Sequence, residues 1–290
     1  MASVRQIRTR IRSVRNIRQI TRAMKMVASA RLNKSQTQLL EARPYAEKMR
    51  EVIRDISERA GQPEHPLLQV HTAGSKAVLV LTSDKGLCAG FNAQPLHACA
   101  RRLQDPTGVP DVLCVGKKGL AFFRRAGVKP VQEWAGFWQD LSWQHVDEIG
   151  QQIIDGFISG KWSEVTLVYN RFKTIMTQVL TEETLLPIRL EKTAAGQAEE
   201  KGRFGEYAFE PSAHNVLRAL LPRYVKQALW HAFLESKAAE LAARMAAMDS
   251  ATRSAGDMIE ELTLVMNRAR QAGITREISE LVGGAEAINN

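Results

Sequence analysis

The residues best placed to do chemistry lie in Ser83-Asp84-Lys85-Gly86-Leu87-Cys88-Ala89-Gly90-Phe91-Asn92, directly after the apolar run AVLVLTS at 77–83. A buried strand that breaks into a glycine-bearing loop is where many nucleotide sites begin, because backbone amides at the start of the next helix can hold phosphate. Neither phosphate motif is completed here. A P-loop requires GxxxxGK[ST], whereas Gly86 and Gly90 are four apart and Phe91-Asn92 stands where Lys-[Ser/Thr] is needed. A dinucleotide fingerprint requires GxGxxG, which GLCAGF does not supply. VGKKG at 115–119 sets two lysines beside glycines and completes no motif either. The structural alternative is that Gly86 and Gly90 permit a tight strand-to-helix turn, with Asp84 or Asn92 capping nearby amides.

Other catalytic arrangements are weaker still. The chain has no GxSxG and no HExxH, and its six histidines are scattered. Cys88, Cys99 and Cys114 form no CxxC pair, which argues for reduced thiols and against a metal site. Glu182-Glu183 and Glu260-Glu261 are adjacent acids that point different ways and read as solvated charges. Trp134, Trp138 and Trp143 offer base-stacking surfaces, although aromatics beside an α/β layer more often pack. No catalytic, cofactor-binding or metal-binding residue is assigned.

Charge is concentrated. Residues 1–34 carry ten lysines or arginines and no acid, so the remaining thirty basic residues face thirty-one acids and the +9 net charge sits in the first helix-length. Three readings fit: a transit peptide, an arm for nucleic acid, or a basic helix facing an acidic protein surface. Val4, Ile7, Ile11, Val14, Ile17, Ile20, Met24 and Val27 recur at steps of three or four, an apolar stripe that favours mature helix over a removed leader. A strict heptad would put Arg18, Thr21 and Lys25 on the seam after Val14. The apolar residues move one place earlier instead, which predicts local overwinding.

These pieces must be positioned by a small set of elements. A helix is expected over roughly 1–60, kinked or divided at Pro44, and about 85 Å long if continuous. Apolar runs at 77–83, 111–116 and 164–170 read as buried strands, with helices near 92–104, 117–126 and 144–160 and an edge strand within 174–187. This places an α/β domain at 76–190, followed by a polar linker at 191–211. From 212 to 290 the chain is again helical, bracketed by Pro211, Pro222 and Gly283-Gly284. Leu241, Met245, Met248, Thr252, Ala255, Ile259, Leu262, Met266 and Ala269 alternate steps of four and three, an uninterrupted heptad seam. Helices this long bury their stripes most economically against each other, antiparallel, with the α/β insert at one end: a long rod with a globular foot. No run of eighteen apolar residues offers a membrane span.

Four stretches stand out in order over nearly the whole chain: ITRAMKMVASARL at 20–32, SDKGLCAGFN, ESKAAELAARMAAMDSAT and LTLVMNRARQAGITREISELVGGA. Through them the sequence resembles the γ subunits of F-type ATP synthases. The resemblance implies an α/β fold with long helices: an antiparallel coiled coil of the terminal helices and an inserted Rossmann-like α/β domain that uses no nucleotide. It also implies a rotor shaft inside a hexamer of α and β subunits, with its foot on the ε subunit and the membrane c ring. By the same resemblance Arg270 and Gln271 meet a β-subunit loop, Met24 and Lys25 face the β subunit, and Tyr207 and Glu210 belong to the region meeting ε and the c ring. The implied setting is peripheral, on the cytoplasmic side of a bacterial plasma membrane, without cofactor or nucleic acid. A nucleotide-dependent enzyme centred on residues 83–92, or a basic coiled-coil nucleic-acid binder, remains the alternative. Three departures from the family pattern stand out: Gly273 within RQAGIT, the polar end GGAEAINN, and a linker without cysteines.

Overall fold

The computed structural model describes residues 4–60, 65–104, 108–189 and 213–289. In chain order the elements are helix α1 (Val4–Ala60), a short 3-10 turn (Pro66–Leu68), β1 (Ser75–Leu81), α2 (Ala93–Leu103), β2 (Asp111–Val115), α3 (Lys117–Arg125), β3 (Gln132–Trp134), α4 (Trp143–Ile158), β4 (Trp162–Phe172), β5 (Gln178–Leu186) and α5 (Ala213–Asn289). The chain divides into two compact units, Met1–Ala30 with Arg244–Asn290, and Arg31–Ala243. Both divisions fall inside the long helices.

The larger unit is built on a five-stranded sheet of order β3-β2-β1-β4-β5. The first four strands pair parallel, and β5 pairs antiparallel with β4. The doubly wound order follows from apolar strands alternating with amphipathic helices, since parallel strands need crossovers that cover both faces. Period-two alternation sorts the side chains. Ala77, Leu79 and Leu81 of β1 share a core with α4 and with Ile53, Leu221, Leu229 and Phe233 of the long helices. Val78 and Val80 face the other way, onto Cys99 of α2 and Phe123 of α3. The antiparallel edge strand matches the expectation for 174–187. β3 was not foreseen, because QEW is only three residues and lacks an apolar run.

Helix α1 is continuous through Pro44, and α5 through Pro222, so proline divides neither helix. Proline at these positions frees the carbonyls of Leu40 and Arg218, and both residues are exposed, so water can take the missing donor's place. The helix likewise continues past Gly283-Gly284 to Asn289.

In the smaller unit the two chain ends run antiparallel. Arg18 lies beside Gly256, the Thr21 and Thr252 hydroxyls are 2.8 Å apart, and Lys25 Nζ is 2.5 Å from Asp249 Oδ1. As the α1 position rises from 18 to 25, its α5 neighbour falls in step. The predicted α5 seam faces inward: Met248 and Ala255 are buried, and Thr252, Ile259, Leu262, Met266 and Ala269 are partly buried.

The predicted shift of the α1 seam does not occur. Ile7, Ile11 and Val14 are buried as expected, but Ile17, Ile20 and Val27 are more than half exposed. The strict heptad continues instead through Thr21 (8% exposed) and Ala28 (2% exposed). Helix phase is conserved by the backbone, and the polar seam residues are tolerated because α5 presents matching partners in Thr252 and Asp249.

Candidate functional site

The loop after β1 is ordered by its own side chains. Asn92 Oδ1 accepts from the Ser83 amide at 2.9 Å, while Asn92 Nδ2 donates to Ser83 Oγ at 2.9 Å and reaches Cys88 Sγ at 3.2 Å. The left-handed residues are Leu87 (φ 65°) and Ala89 (φ 47°), not the two glycines. The glycines therefore do not supply the turn's positive φ, correcting the expectation from composition. A Cβ at Gly90 would meet nothing within 4 Å, so close packing does not explain it either.

The amides that open α3 are where a doubly wound fold would offer phosphate a seat. Here each is engaged. The Lys117 amide donates to Asp84 Oδ1 at 3.0 Å, the Lys118 amide to the Ser83 carbonyl at 3.1 Å, and the Gly119 amide to Thr82 Oγ1 at 2.9 Å. Asp84 also accepts from the amides of Gly136 (3.0 Å) and Trp138 (3.2 Å). The glycines of VGKKG have a steric reason. Gly116 takes φ 95° with the Thr82 carbonyl oxygen 2.1 Å from where its Cβ would stand, and a Cβ at Gly119 would lie 2.5 Å from Cys114 Sγ. Three consecutive residues after β1 thus do for α3 what a bound anion would do.

Other chemically able groups are accounted for by packing. All three cysteines are buried. Burial pushes the Cys99 thiol up to about 12 and Cys114 further still, which disfavours the nucleophilic thiolate. Among the described residues no group of three or more His, Cys, Asp or Glu is arranged to hold a metal. Trp138 is 4% exposed beside Phe233, and Trp143 lies edge-on to Trp230 at 5.9 Å. Glu182 is engaged by Arg102, whose Nε and a terminal nitrogen lie 2.8 and 2.6 Å from one carboxylate oxygen.

One buried charged cluster was not visible in the sequence. Glu235 of α5 is 5% exposed and accepts from the Phe172 amide at 2.8 Å, with His231 Nε2 3.8 Å from its other oxygen. Burial raises the Glu235 carboxyl and lowers the His231 imidazolium. These residues sit one turn apart on α5, a spacing that many solvated helices share. Only the strand end at Phe172 makes them distinctive.

The residues assigned to partner contacts divide into three cases. Lys25 is held within the chain by Asp249, whose carboxyl lies below its usual range because of that hydrogen bond, and Met24 beside it is half-buried. Arg270 and Gln271 are exposed on α5. By the antiparallel register Val4, the first residue of α1, falls opposite Arg270. Further along α5, Ile274, Ile278, Leu281 and Val282 are 49–74% exposed. Gly273 does not interrupt the helix. Tyr207 and Glu210, with the linker, lie outside the described residues.

Comparison with known proteins now identifies the architecture. The model of the family described as ATP synthase matches residues 3–288. The ATP synthase gamma chain of Pelotomaculum thermopropionicum is 42% identical over 290 residues, covering 99% of this chain and 100% of the relative. The chain belongs to the ATP synthase gamma family. The gamma chain of Desulforamulus reducens is also 42% identical, over 288 residues, with 99% and 100% covered. Among solved structures, the central stalk and c-ring assembly of Tetrahymena thermophila mitochondrial ATP synthase contains a chain 27% identical, with TM-score 0.58 and coverage of 80% of this chain and 99% of that one. A chain of Euglena gracilis mitochondrial ATP synthase superposes with TM-score 0.69 over 98% of this chain and 94% of that one, at 17% identity, a likeness of fold alone. Membership makes this a gamma subunit of the ATP synthase central stalk, a non-catalytic subunit of the complex. Among the described residues no helix is long and apolar enough to cross a membrane.

Proposed function

We propose that the chain is the rotating shaft of an F-type ATP synthase. It couples ion-driven turning of the membrane c ring to the conformational cycle of the catalytic β subunits, and carries no catalytic site or cofactor of its own. The antiparallel pairing of the chain ends carries this reading, together with the exposed apolar side chains of α5 from Ile274 to Val282. A paired shaft resists twist, and one asymmetric shaft presents different faces to three equivalent sites in turn. Arg270 and Gln271 engage a β-subunit loop from the exposed part of α5. Met24 and Lys25 belong to the α1 face toward the hexamer, where exposed Ile17 and Ile20 stand among arginines. Basic charge there registers an acidic partner without gluing it, since exposed pairs are each worth roughly 0–1 kcal/mol. Tyr207 and Glu210 meet the ε subunit and the c ring. The complex sits on the cytoplasmic side of a bacterial plasma membrane, and the chain reaches the membrane only through its partners. Nucleotide enzymology at residues 83–92 is disfavoured because Thr82, Ser83 and Asp84 already engage the α3 amides.

The test is Mg-ATP hydrolysis by matched α and β subunits with and without this chain. The expected result is assembly and a rise in turnover that Arg270→Ala with Gln271→Ala reduces, while the chain alone is inert. Hydrolysis by the isolated chain, or failure to join the hexamer, refutes the reading.

A further inference from the structure

We propose that Asp84 is a positioning residue that clamps the α/β domain to α5, acting through the loop at 135–139. Its carboxylate accepts amides from two separate pieces of chain, Lys117 at the start of α3 and Gly136 and Trp138 in the loop. Hydrogen bonds to an ionised acceptor are the stronger kind, and three converging on one carboxylate fix its neighbours in direction as well as distance. The loop has no regular secondary structure to hold it. Gly136 takes φ 95°, a conformation that brings its amide onto Asp84. The buried Trp138 indole has no hydrogen-bond partner among the described residues, so the backbone contact to Asp84 and ring packing position it.

On its other side the same loop grips α5 through three consecutive residues. The Phe137 and Trp138 rings lie 6.3 and 6.0 Å from that of Phe233, and Lys237 Nζ donates to the Gln139 carbonyl at 3.1 Å. Asp84 follows β1, the strand in the middle of the sheet order. One carboxylate and five residues of loop thus link the sheet to α5, beside the direct packing of β1 on α5 and the Phe172–Glu235 hydrogen bond. The coupling role rests on the shaft reading above, whereas the clamp itself does not.

Asp84→Asn keeps the shape and removes the charge, and its amide nitrogen would face N–H donors. In the full chain, hydrogen exchange at the Gly136 and Trp138 amides is expected to quicken by about tenfold or more, with α2 amides unchanged. In the assembled, membrane-embedded complex, ion uptake per ATP hydrolysed is expected to fall while hydrolysis per assembled complex stays near wild type. A merely structural defect would lower both together. Lys237→Met releases the far end of the same loop and serves if Asp84→Asn fails to fold. If both variants fold, their effects on loop exchange should be non-additive. Unchanged exchange at Gly136 and Trp138 in the variants overturns the clamp. Faster exchange with an unchanged coupling ratio overturns its role in transmission. Failure of the wild-type chain to join the hexamer in the same preparation would instead strike the shaft reading.

Discussion

Replacing Thr82 with valine isolates the hydrogen bonding at the base of α3. Thr82 is fully buried, donates to the Val115 carbonyl at 2.6 Å and accepts from the Gly119 amide at 2.9 Å. Valine has almost the same shape but neither function. The Val115 carbonyl keeps the Thr82 backbone N–H at 2.9 Å, so it is not orphaned. The Gly119 amide is, and a buried unsatisfied donor costs about 1–3 kcal/mol. A methyl at the former hydroxyl position also presses on that amide, which moves the expectation to the upper half, about 2–3 kcal/mol. For a unit the size of Arg31–Ala243 this corresponds to a fall in Tm of roughly 4–12 °C. Thr82→Ser is the control: it keeps both hydrogen bonds and loses one methyl, about 1 kcal/mol. Thermal melting of the full chain by circular dichroism should rank wild type above serine and serine above valine. If valine is as stable as wild type, or serine the less stable of the two, methyl packing holds this junction and the account of the α3 amides is wrong.

Gly156→Ala should destabilise by about 1–3 kcal/mol despite alanine's better helix propensity of up to about 1 kcal/mol, because the new Cβ would lie 2.3 Å from the Trp162 ring. Denaturant unfolding reads this directly, and a gain in stability would show that Trp162 moves freely. Burial, and then the charges of Arg50, Arg171 and Arg43, hold the His231 imidazolium below its ordinary 6.5. The folded chain therefore binds that proton more weakly than the unfolded chain, and stability is lost as pH falls through 6.5. His231→Gln should gain on wild type in melts at pH 5.5 relative to pH 7.5. Glu235, raised by burial, acts in the opposite sense but is common to both proteins. Lys25→Ala should lower the melting temperature of the paired chain ends at neutral pH. Because Lys25 holds Asp249 below its usual range, the difference should vanish as acid protonates Asp249, and a difference that persists at low pH would point to packing of the lysine stem instead.

Much of this architecture was legible because it depends on periodicity. The heptad seam from Leu241 to Ala269 faces inward as its spacing predicted, and the three apolar runs became β1, β2 and β4 with helices between them. Terminal motifs such as ITRAMKMV and NRARQAGIT identify the family with no coordinates at all, since long specific strings survive where physical patterning is generic. The same patterning could not set the phase of α1 past Val14. Ile17 and Ile20 satisfy an apolar stripe as well as Thr21 and Lys25 defy one, and the choice was made by Thr252 and Asp249, more than two hundred residues away. Nor could composition say that Leu87 and Ala89, rather than Gly86 and Gly90, would take positive φ, because that depends on Asn92 reaching back to Ser83. The loop met first in the sequence is the clearest division between the two levels. Sequence alone showed that SDKGLCAGFN completes no phosphate motif. Only the tertiary structure brought Lys117, Gly136 and Trp138 to Asp84, because a carboxylate finds its amides through the fold and not through the spacing of neighbours along the chain.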